Sequence, residues 1–270
     1  MSYDWISFTT DYGIDDGFVA ACEGVIARIA PGPRVLHVSH TVPAQDVRRG
    51  GAILAQTAPY LPPAVHLAVV DPGVGTERRG IVVVAAEGVL VGPDNGLLVP
   101  AAEALGGVRA AYLLTEPAYQ LSRVSATFHG RDIFAPAAAH LAAGIAPENF
   151  GAGVDVTTLV RLPEPETLVE QGKVTTEVLS IDSFGNVQLA ATGADLDAAG
   201  AMPGTAAHVN LGGRSVNAVV ARTFGDAGPE GVIVYLDSAG RVALAVNGGS
   251  AAADFETTLG DQVLLLFARP

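Results

Sequence analysis

Two periods of apolar and polar positions alternate along the first half of the chain. Trp5-Ile6-Ser7-Phe8-Thr9 reads as a strand and runs into the polar turn Thr10-Asp11-Tyr12-Gly13. Residues 17–29 then place Val19, Cys22, Val25, Ile26 and Ile29 at helical spacing, and Pro31-Gly32 ends the run. A second strand is predicted over 35–38 and a second helix over 47–58, closed by Pro59 and by Pro62-Pro63. The third strand, 65–70, leads directly into Asp71-Pro72-Gly73. Residues 80–85 and 89–91 read as a strand pair, and 133–143 as a helix. Strands alternating with helices predict a mainly parallel sheet covered on both faces, with the ligand beyond the carboxyl ends of the strands. Asp11 and Asp71 both sit at such ends.

The texture changes at Leu162-Pro163-Glu164-Pro165-Glu166, which reads as a linker. Beyond it come short β-rich runs at 173–181, 186–189, 207–211, 216–223, 231–235, 242–246 and 263–267, separated by Gly, Asp and Asn. No long helical pattern interrupts them. The expected organisation is an α/β domain over 1–164 and a smaller antiparallel β domain over 165–270, a barrel or a sandwich on pattern alone.

Composition narrows the functional classes. With 49% apolar residues among 270, the chain builds real cores. Its 28 acids against 15 bases give a net charge of −13, which argues against a nucleic-acid partner. Lys173 is the one lysine, so a polybasic membrane patch is not expected either. The single cysteine, Cys22, excludes an internal disulfide and suits a reducing, cytoplasmic setting. It falls on the apolar side of the first helix and reads as packing. No signal peptide and no membrane span are expected.

Three stretches carry candidate chemistry. Asp71-Pro72-Gly73-Val74-Gly75-Thr76-Glu77-Arg78-Arg79 places an acid at a strand end and two arginines after a tight turn. It matches neither phosphate-binding glycine motif, and a surface ion pair explains it equally. Thr127-Phe128-His129-Gly130-Arg131-Asp132 is either a ligand loop, with Gly130 admitting close approach, or a helix start favouring Asp132. Asp182-Ser183-Phe184-Gly185-Asn186 is also a plausible plain turn. Metal ligation has little support. His37 and His40 stand three apart with no third ligand nearby, His66 lies within a strand, and no H-E-x-x-H or C-x-x-C occurs. A Ser-His-Asp hydrolase lacks its G-x-S-x-G elbow.

Taken in order, these stretches and three more form a pattern. Thr9-Thr10-Asp11-Tyr12-Gly13, Val70-Asp71-Pro72-Gly73-Val74-Gly75, Gly92-Pro93-Asp94-Asn95-Gly96, the His129 stretch, the Asp182 stretch and Val246-Asn247-Gly248-Gly249-Ser250-Ala251 together resemble the S-adenosyl-L-methionine (SAM) hydroxide adenosyltransferase family, which is related to the SAM-dependent fluorinase and chlorinase. The resemblance covers nearly the whole chain. It implies an N-terminal α/β domain, a smaller C-terminal β-barrel, and a homotrimer with SAM held between neighbouring subunits. It also implies cleavage of SAM at C5′ of the ribose to L-methionine and adenosine, with SAM as the substrate and no separate cofactor or metal.

Residue by residue, the resemblance assigns Asp71, Arg78 and His129 to water activation. Halogenating relatives carry tyrosine in place of the histidine. The fluorinase has serine at the position of Gly130, whereas the chlorinase has glycine. Asp11 matches the acid that takes both ribose hydroxyls. Asp182 and Asn186 match contacts to the methionine amine and the ribose or purine, Phe184 a ring near the adenosine, and Ser238 a serine near the methionine carboxylate. Halogenase relatives have arginine directly after that serine; here it is Ala239, leaving a backbone amide as the replacement anchor. Asn247, Ser250 and Ala251 match the adenine edge, and Tyr12, Phe128 and Phe224 are further pocket candidates. The alternatives are a SAM-dependent chlorinase and a non-catalytic SAM-binding protein on the same scaffold.

Overall fold

A computed structural model describes residues 2–268 and divides into two compact units, with the division between Leu162 and Pro163. In the first unit the elements run β1 (Trp5–Thr10), α1 (Phe18–Ile29), β2 (Arg34–Ser39), α2 (Val47–Thr57), β3 (Val65–Val69), β4 (Gly80–Ala85), β5 (Val89–Pro93), α3 (Val99–Ala104), β6 (Val108–Leu113), α4 (Ala135–Ala142) and β7 (Gly153–Val154). They build one sheet in the order β2-β1-β3-β5-β4-β6-β7. The β2-β1-β3-β5 seams are parallel, and β5-β4-β6-β7 pair antiparallel. All strands but β4 and β7 therefore point one way, so the sheet is mixed with mostly parallel strands.

Alternation along the strands sorts apolar side chains to two cores. Phe8 and Ile6 of β1, Leu67 of β3, Val91 of β5 and Val82 of β4 pack with Cys22 and Ile26 of α1 and with the start of α4. Ala68, Leu90, Ile81 and Val83 face the other way, toward Leu54 of α2 and Ala101 of α3. The first crossover leads from β1 outward to β2 and the second returns past β1 to β3. The β1/β3 seam is thus the switch point of the sheet, where a crevice opens beyond the strand ends. Thr10 pairs with Val69 across that seam, so the residues that follow, Asp11 and Asp71, emerge side by side.

The expected helix over 133–143 begins earlier and differently. Gly130–Phe134 forms one π-helical turn, in which the Ala135 amide bonds back to the Gly130 carbonyl, and α4 continues from it. The alanine-rich stretches forming α3 and β6 were not expected from the hydrophobic pattern.

The second unit runs β8 (Leu168–Glu170), β9 (Lys173–Ile181), β10 (Val187–Thr192), α5 (Gly193–Ala199), β11 (Ala206–Leu211), β12 (Arg214–Val220), β13 (Val232–Leu236), β14 (Arg241–Val246), α6 (Ala251–Phe255) and β15 (Gln262–Phe267). Pairing of β10 with β9 closes the ring β10-β14-β13-β12-β11-β15-β9 into a seven-stranded barrel, with β8 added outside β9. Every seam of the ring is antiparallel except β12–β13, which is parallel. The inward residues of β9, Val174, Thr176, Val178 and Ser180, alternate strictly with the others. Helix α5, also unexpected, starts at a capping box between Thr192 and Asp195.

Ser7 and His66 pair across the β1/β3 seam, with the serine hydroxyl 2.8 Å from Nδ1 and both residues fully buried. Burial pushes the His66 imidazole from 6.5 down to about 4, so the folded state keeps it neutral where the unfolded chain takes up a proton. Stability should therefore fall as pH drops from about 6.5 to 4, by on the order of 3 kcal/mol from this group. Urea unfolding at pH 7 and pH 4 checks this. The double variant Ser7→Ala/His66→Leu should lose about that much less than the parent, and equal losses would sink the assignment.

Candidate active site

The crevice beyond β1 and β3 is a cavity of about 350 Å³ lined by Asp11, Tyr12, Phe18, Ala44, Gln45, Val69, Asp71, Pro72, Val74, Thr127, His129 and Gly130. Asp71 leaves the end of β3 into a tight turn in which Val74 N–H bonds to the Asp71 carbonyl and Thr76 N–H to the Gly73 carbonyl. The turn brings Arg78 back over its own start. Arg78 donates to both Asp71 oxygens through Nε at 3.0 Å and to Oδ2 through Nη2 at 2.5 Å. The same Nη2 lies 2.9 Å from Nδ1 of His129. The guanidinium also lies over the Phe134 ring, 5.0 Å from its centroid. The order in space is carboxylate, guanidinium, imidazole. Arg78 is the middle member, and no Asp71–His129 hydrogen bond is present. The imidazole is therefore held by the guanidinium, and the carboxylate reaches it only through Arg78.

The geometry fixes the tautomer of His129. A guanidinium only donates, so neutral His129 presents Nδ1 as the acceptor and carries its proton on Nε2. Burial and then the Arg78 charge push its pKa down, partly offset by Asp71, Asp132 and a hydrogen bond to the Ser125 backbone. The imidazole is therefore held neutral.

Two further groups fix the His129 loop. Oδ2 of the buried Asp132 accepts from both the backbone N–H and the hydroxyl of Ser125, each at 2.8 Å, and Oδ1 accepts from Arg131 Nε at 2.6 Å. Gly75, at φ +79°, lies so close to the Ala126 carbonyl that a Cβ there would come within 2.4 Å of the oxygen. Only glycine lets the Asp71 turn and the His129 loop meet. Asp94 and Asn95, members of the motif pattern, prove to be buttresses. Buried Asp94 accepts from Arg79 Nε at 2.7 Å, and Asn95 Nδ2 donates to the Val70 carbonyl at the end of β3.

Asp11 faces the same cavity, with Oδ2 accepting from Gln45 N–H at 2.9 Å. Gln45 holds a left-handed conformation, φ +66°, which is uncommon for a residue with a side chain. Tyr12, Phe18 and Phe128 form an aromatic cluster with centroids 5.4–6.0 Å apart. The Tyr12 hydroxyl lies over Gly130, and its pKa is raised by burial. The hydrophobic pattern did not single out Phe18 or Gln45. Phe18 read only as part of a helix start, and nothing in the sequence announces a positive φ at a glutamine.

The second-unit candidates gather in part at one end of the barrel. Asp182 closes its own turn, with Oδ1 accepting from the N–H groups of Phe184 and Asn186 at 2.9 Å and Oδ2 from Asn186 Nδ2 at 2.8 Å. Phe184, at the tip, is 78% exposed. Gly185 lies against Ser250, whose hydroxyl caps α6, and its carbonyl accepts from the Ala252 amide, so Asp182, Asn186, Ser250 and Ala251 lie close together. Phe224 packs on Tyr235, centroids 5.2 Å apart. Burial raises the Tyr235 pKa, with Asp182 and then Asp237 adding to the effect. Tyr235 was not among the expected residues. Asn247 Nδ2 donates to the Ala227 carbonyl and so ties down a loop. Ser238 and Ala239 lie in a turn where the Ala239 amide donates to Asp237 Oδ1. Among the described residues no group of three His, Cys, Asp or Glu is placed to hold a metal ion, and no helix is long and apolar enough to cross a membrane.

Comparison with known proteins bears on both units. Residues 6–151 match the model of the SAM hydroxide adenosyltransferase N-terminal domain, and residues 176–264 match that of its C-terminal domain. An (R)-S-adenosyl-L-methionine hydrolase from Salinispora arenicola is 59% identical over 262 residues, 97% of each chain. A fluorinase from Nocardia brasiliensis is 30% identical over 287 aligned positions, covering 96% of this chain and 95% of its own. The crystal structure of an uncharacterized conserved protein from Thermotoga maritima superposes with a TM-score of 0.91 at 34% identity, covering 97% and 99% of the two chains.

Two outcomes follow from the geometry. A Cβ at position 130 would lie 1.9 Å from the Tyr12 hydroxyl oxygen. Gly130→Ala should therefore destabilise by about 1–3 kcal/mol, and adding Tyr12→Phe should recover more than half of that in denaturant unfolding. Additive losses would contradict the contact. By NMR, the His129 titration midpoint should lie below the ordinary 6.5 and rise in Arg78→Met, because a neighbouring cation has been removed.

Proposed function

The chain belongs to the SAM hydroxide adenosyltransferase family, and on that premise we propose that it is a SAM hydrolase in which Asp71, Arg78 and His129 activate the attacking water. Water displaces L-methionine from C5′ of SAM, giving adenosine, L-methionine and a proton. The observation that carries the residue assignment is the continuous Asp71–Arg78–His129 contact at the mouth of the β1/β3 crevice, with the imidazole held neutral.

The chemistry suits this set. The C5′–S bond breaks as the C5′–O bond forms, and the sulfonium departs as a neutral thioether, so the leaving group requires no acid and the reaction no cofactor. What the enzyme supplies is alignment, worth roughly 7–11 kcal/mol, and stabilisation of a nucleophile that develops hydroxide character. Arg78, fixed by two-point contact with Asp71, presents positive charge to that oxygen. The proton passes to the Asp71–Arg78–His129 set. A halide needs no deprotonation, so a neutral imidazole on an arginine favours water over the chlorinase reading.

For binding, Asp11 takes the two ribose hydroxyls, since its fixed carboxylate offers two acceptor oxygens. Tyr12 and Phe128 shape the apolar wall, and Gly130 keeps it open. The barrel unit serves as the SAM and adenine-binding domain, with Asp182, Phe184, Asn186, Phe224, Ser238, Asn247, Ser250 and Ala251 as its contacts. The exposed rings of Phe184 and Phe224 support a subunit interface as the place of use, in a homotrimer. A cytoplasmic location fits the lone, buried Cys22.

Incubated with SAM, the purified protein should release adenosine and methionine in equal amounts. Added chloride should yield no 5′-chloro-5′-deoxyadenosine on chromatography. His129→Ala should lower kcat at least about 100-fold while the SAM dissociation constant stays within about threefold. Full turnover in that variant removes His129 from the mechanism.

A further inference from the structure

Outside the cavity wall, Glu23, His37 and His40 form a hydrogen-bonded line that the reaction just described does not use. His37 Nε2 lies 2.8 Å from the Glu23 carboxylate, and His37 Nδ1 lies 2.7 Å from His40 Nε2. His40 Nδ1 lies 2.8 Å from the hydroxyl of Thr10, which accepts from Tyr12 N–H at 3.2 Å. Glu23 belongs to α1, His37 to β2 and Thr10 to the end of β1, so the line ties three elements together. It starts at the surface, where the Glu23 and His37 side chains are 37% and 45% exposed, and ends at fully buried Thr10. The buried His40 ring stands edge-on to Phe8 at 4.9 Å.

The carboxylate at the outer end sets the direction of every bond. Glu23 only accepts, so a neutral His37 carries its proton on Nε2 and offers Nδ1 as an acceptor. His40 then donates from Nε2 and accepts at Nδ1. Thr10 donates its hydroxyl to His40 and keeps its lone pairs for Tyr12 N–H. Burial and the neighbouring His37 push the His40 imidazole down to about 4, in keeping with a neutral ring. A shared tetrahedral metal ion does not fit, because ligands about 2.0–2.1 Å from it would stand about 3.3 Å apart, whereas these nitrogens are hydrogen-bonded to each other at 2.7 Å.

His40 also grips the other end of the same short segment. Its carbonyl accepts from Gly13 N–H at 2.7 Å. Thr10 and Gly13 are thus both held by one residue, and Asp11 lies between them. We propose that His40 is a positioning residue for the Asp11 carboxylate, with its tautomer set from the surface by Glu23 through His37. The inference rests on the reading of Asp11 as the ribose-binding acid.

The test compares adenosine with 2′,3′-dideoxyadenosine, which lacks the vicinal 2′ and 3′ hydroxyls. The parent should bind adenosine about tenfold more tightly or better, and Asp11→Asn should erase that preference. His40→Leu should raise the adenosine dissociation constant and the KM for SAM about tenfold, leave dideoxyadenosine binding unchanged and hold kcat within about twofold. His40→Asn, which keeps an acceptor near the position of Nδ1, should restore most of the loss. Thr10→Val, nearly isosteric, should reproduce it if His40→Leu folds poorly. Glu23→Lys replaces an acceptor with a donor at the exposed end and reverses the line, so KM should rise about threefold.

If Asp11→Asn erases the ribose preference while His40→Leu and Thr10→Val keep it, the positioning role is overturned and the ribose reading stands. If Asp11→Asn keeps the preference, the ribose reading itself fails and the proposal with it. Equal loss of both nucleosides in the His40 and Thr10 variants marks general damage and overturns the role. An unchanged KM in Glu23→Lys overturns the setting of the tautomer from the surface.

Discussion

The site depends on a single topological constraint, the parallel seam between β1 and β3. Because the chain crosses outward from β1 to β2 and then returns past β1 to β3, no crossover covers the crevice at the ends of these two strands. Whatever residues follow them project into the same space, and here both are aspartates. Two carboxylates beside one crevice repel each other unless each is separately satisfied. Asp71 is satisfied by Arg78, folded back by the 71–78 turn. Asp11 receives the Gln45 amide. The left-handed conformation of Gln45 and the glycine at 75 are local consequences of placing these donors.

Each acid is held by a different kind of support. Arg78 links Asp71 to the imidazole and lies over the Phe134 ring of the π turn, so the α4 end of the fold helps to hold the pair. Asp132, buried in that same turn, anchors the loop that carries His129. A buried ion pair of this kind adds little net stability to a fold, yet leaves a costly orphan if one member is removed. That asymmetry suits a site where geometry matters more than strength.

Much of this organisation was legible in the sequence, for a physical reason. Strand-end acids follow buried runs, and Trp5–Thr10 and Val65–Val69 are buried almost throughout because both faces of a parallel sheet are covered. The interposition of Arg78 between Asp71 and His129 was not legible, since it depends on how the 71–78 turn returns on itself. The π turn leaves no compositional mark, because it differs from an α-helix by one inserted residue. Helix α5 did carry a signal in its Thr192–Asp195 capping box, which the surrounding glycine and alanine obscured. In the barrel unit the plain-turn reading of Asp182 describes what its oxygens do in this structure. The Asp94–Asn95 pair shows that a motif residue can serve the scaffold around a site.

The contact of Gly130 with the Tyr12 phenol has a historical consequence. A lineage that moves by single substitutions loses stability when it places a side chain at position 130 while position 12 keeps its hydroxyl, because the intermediate is overpacked. That cost disappears when the phenol is lost first or the ring swings away. The pair therefore favours one order among the paths by which this pocket can drift toward one that accepts a different nucleophile. Position 12 acts as the gate on that path, although it need not take part in the reaction.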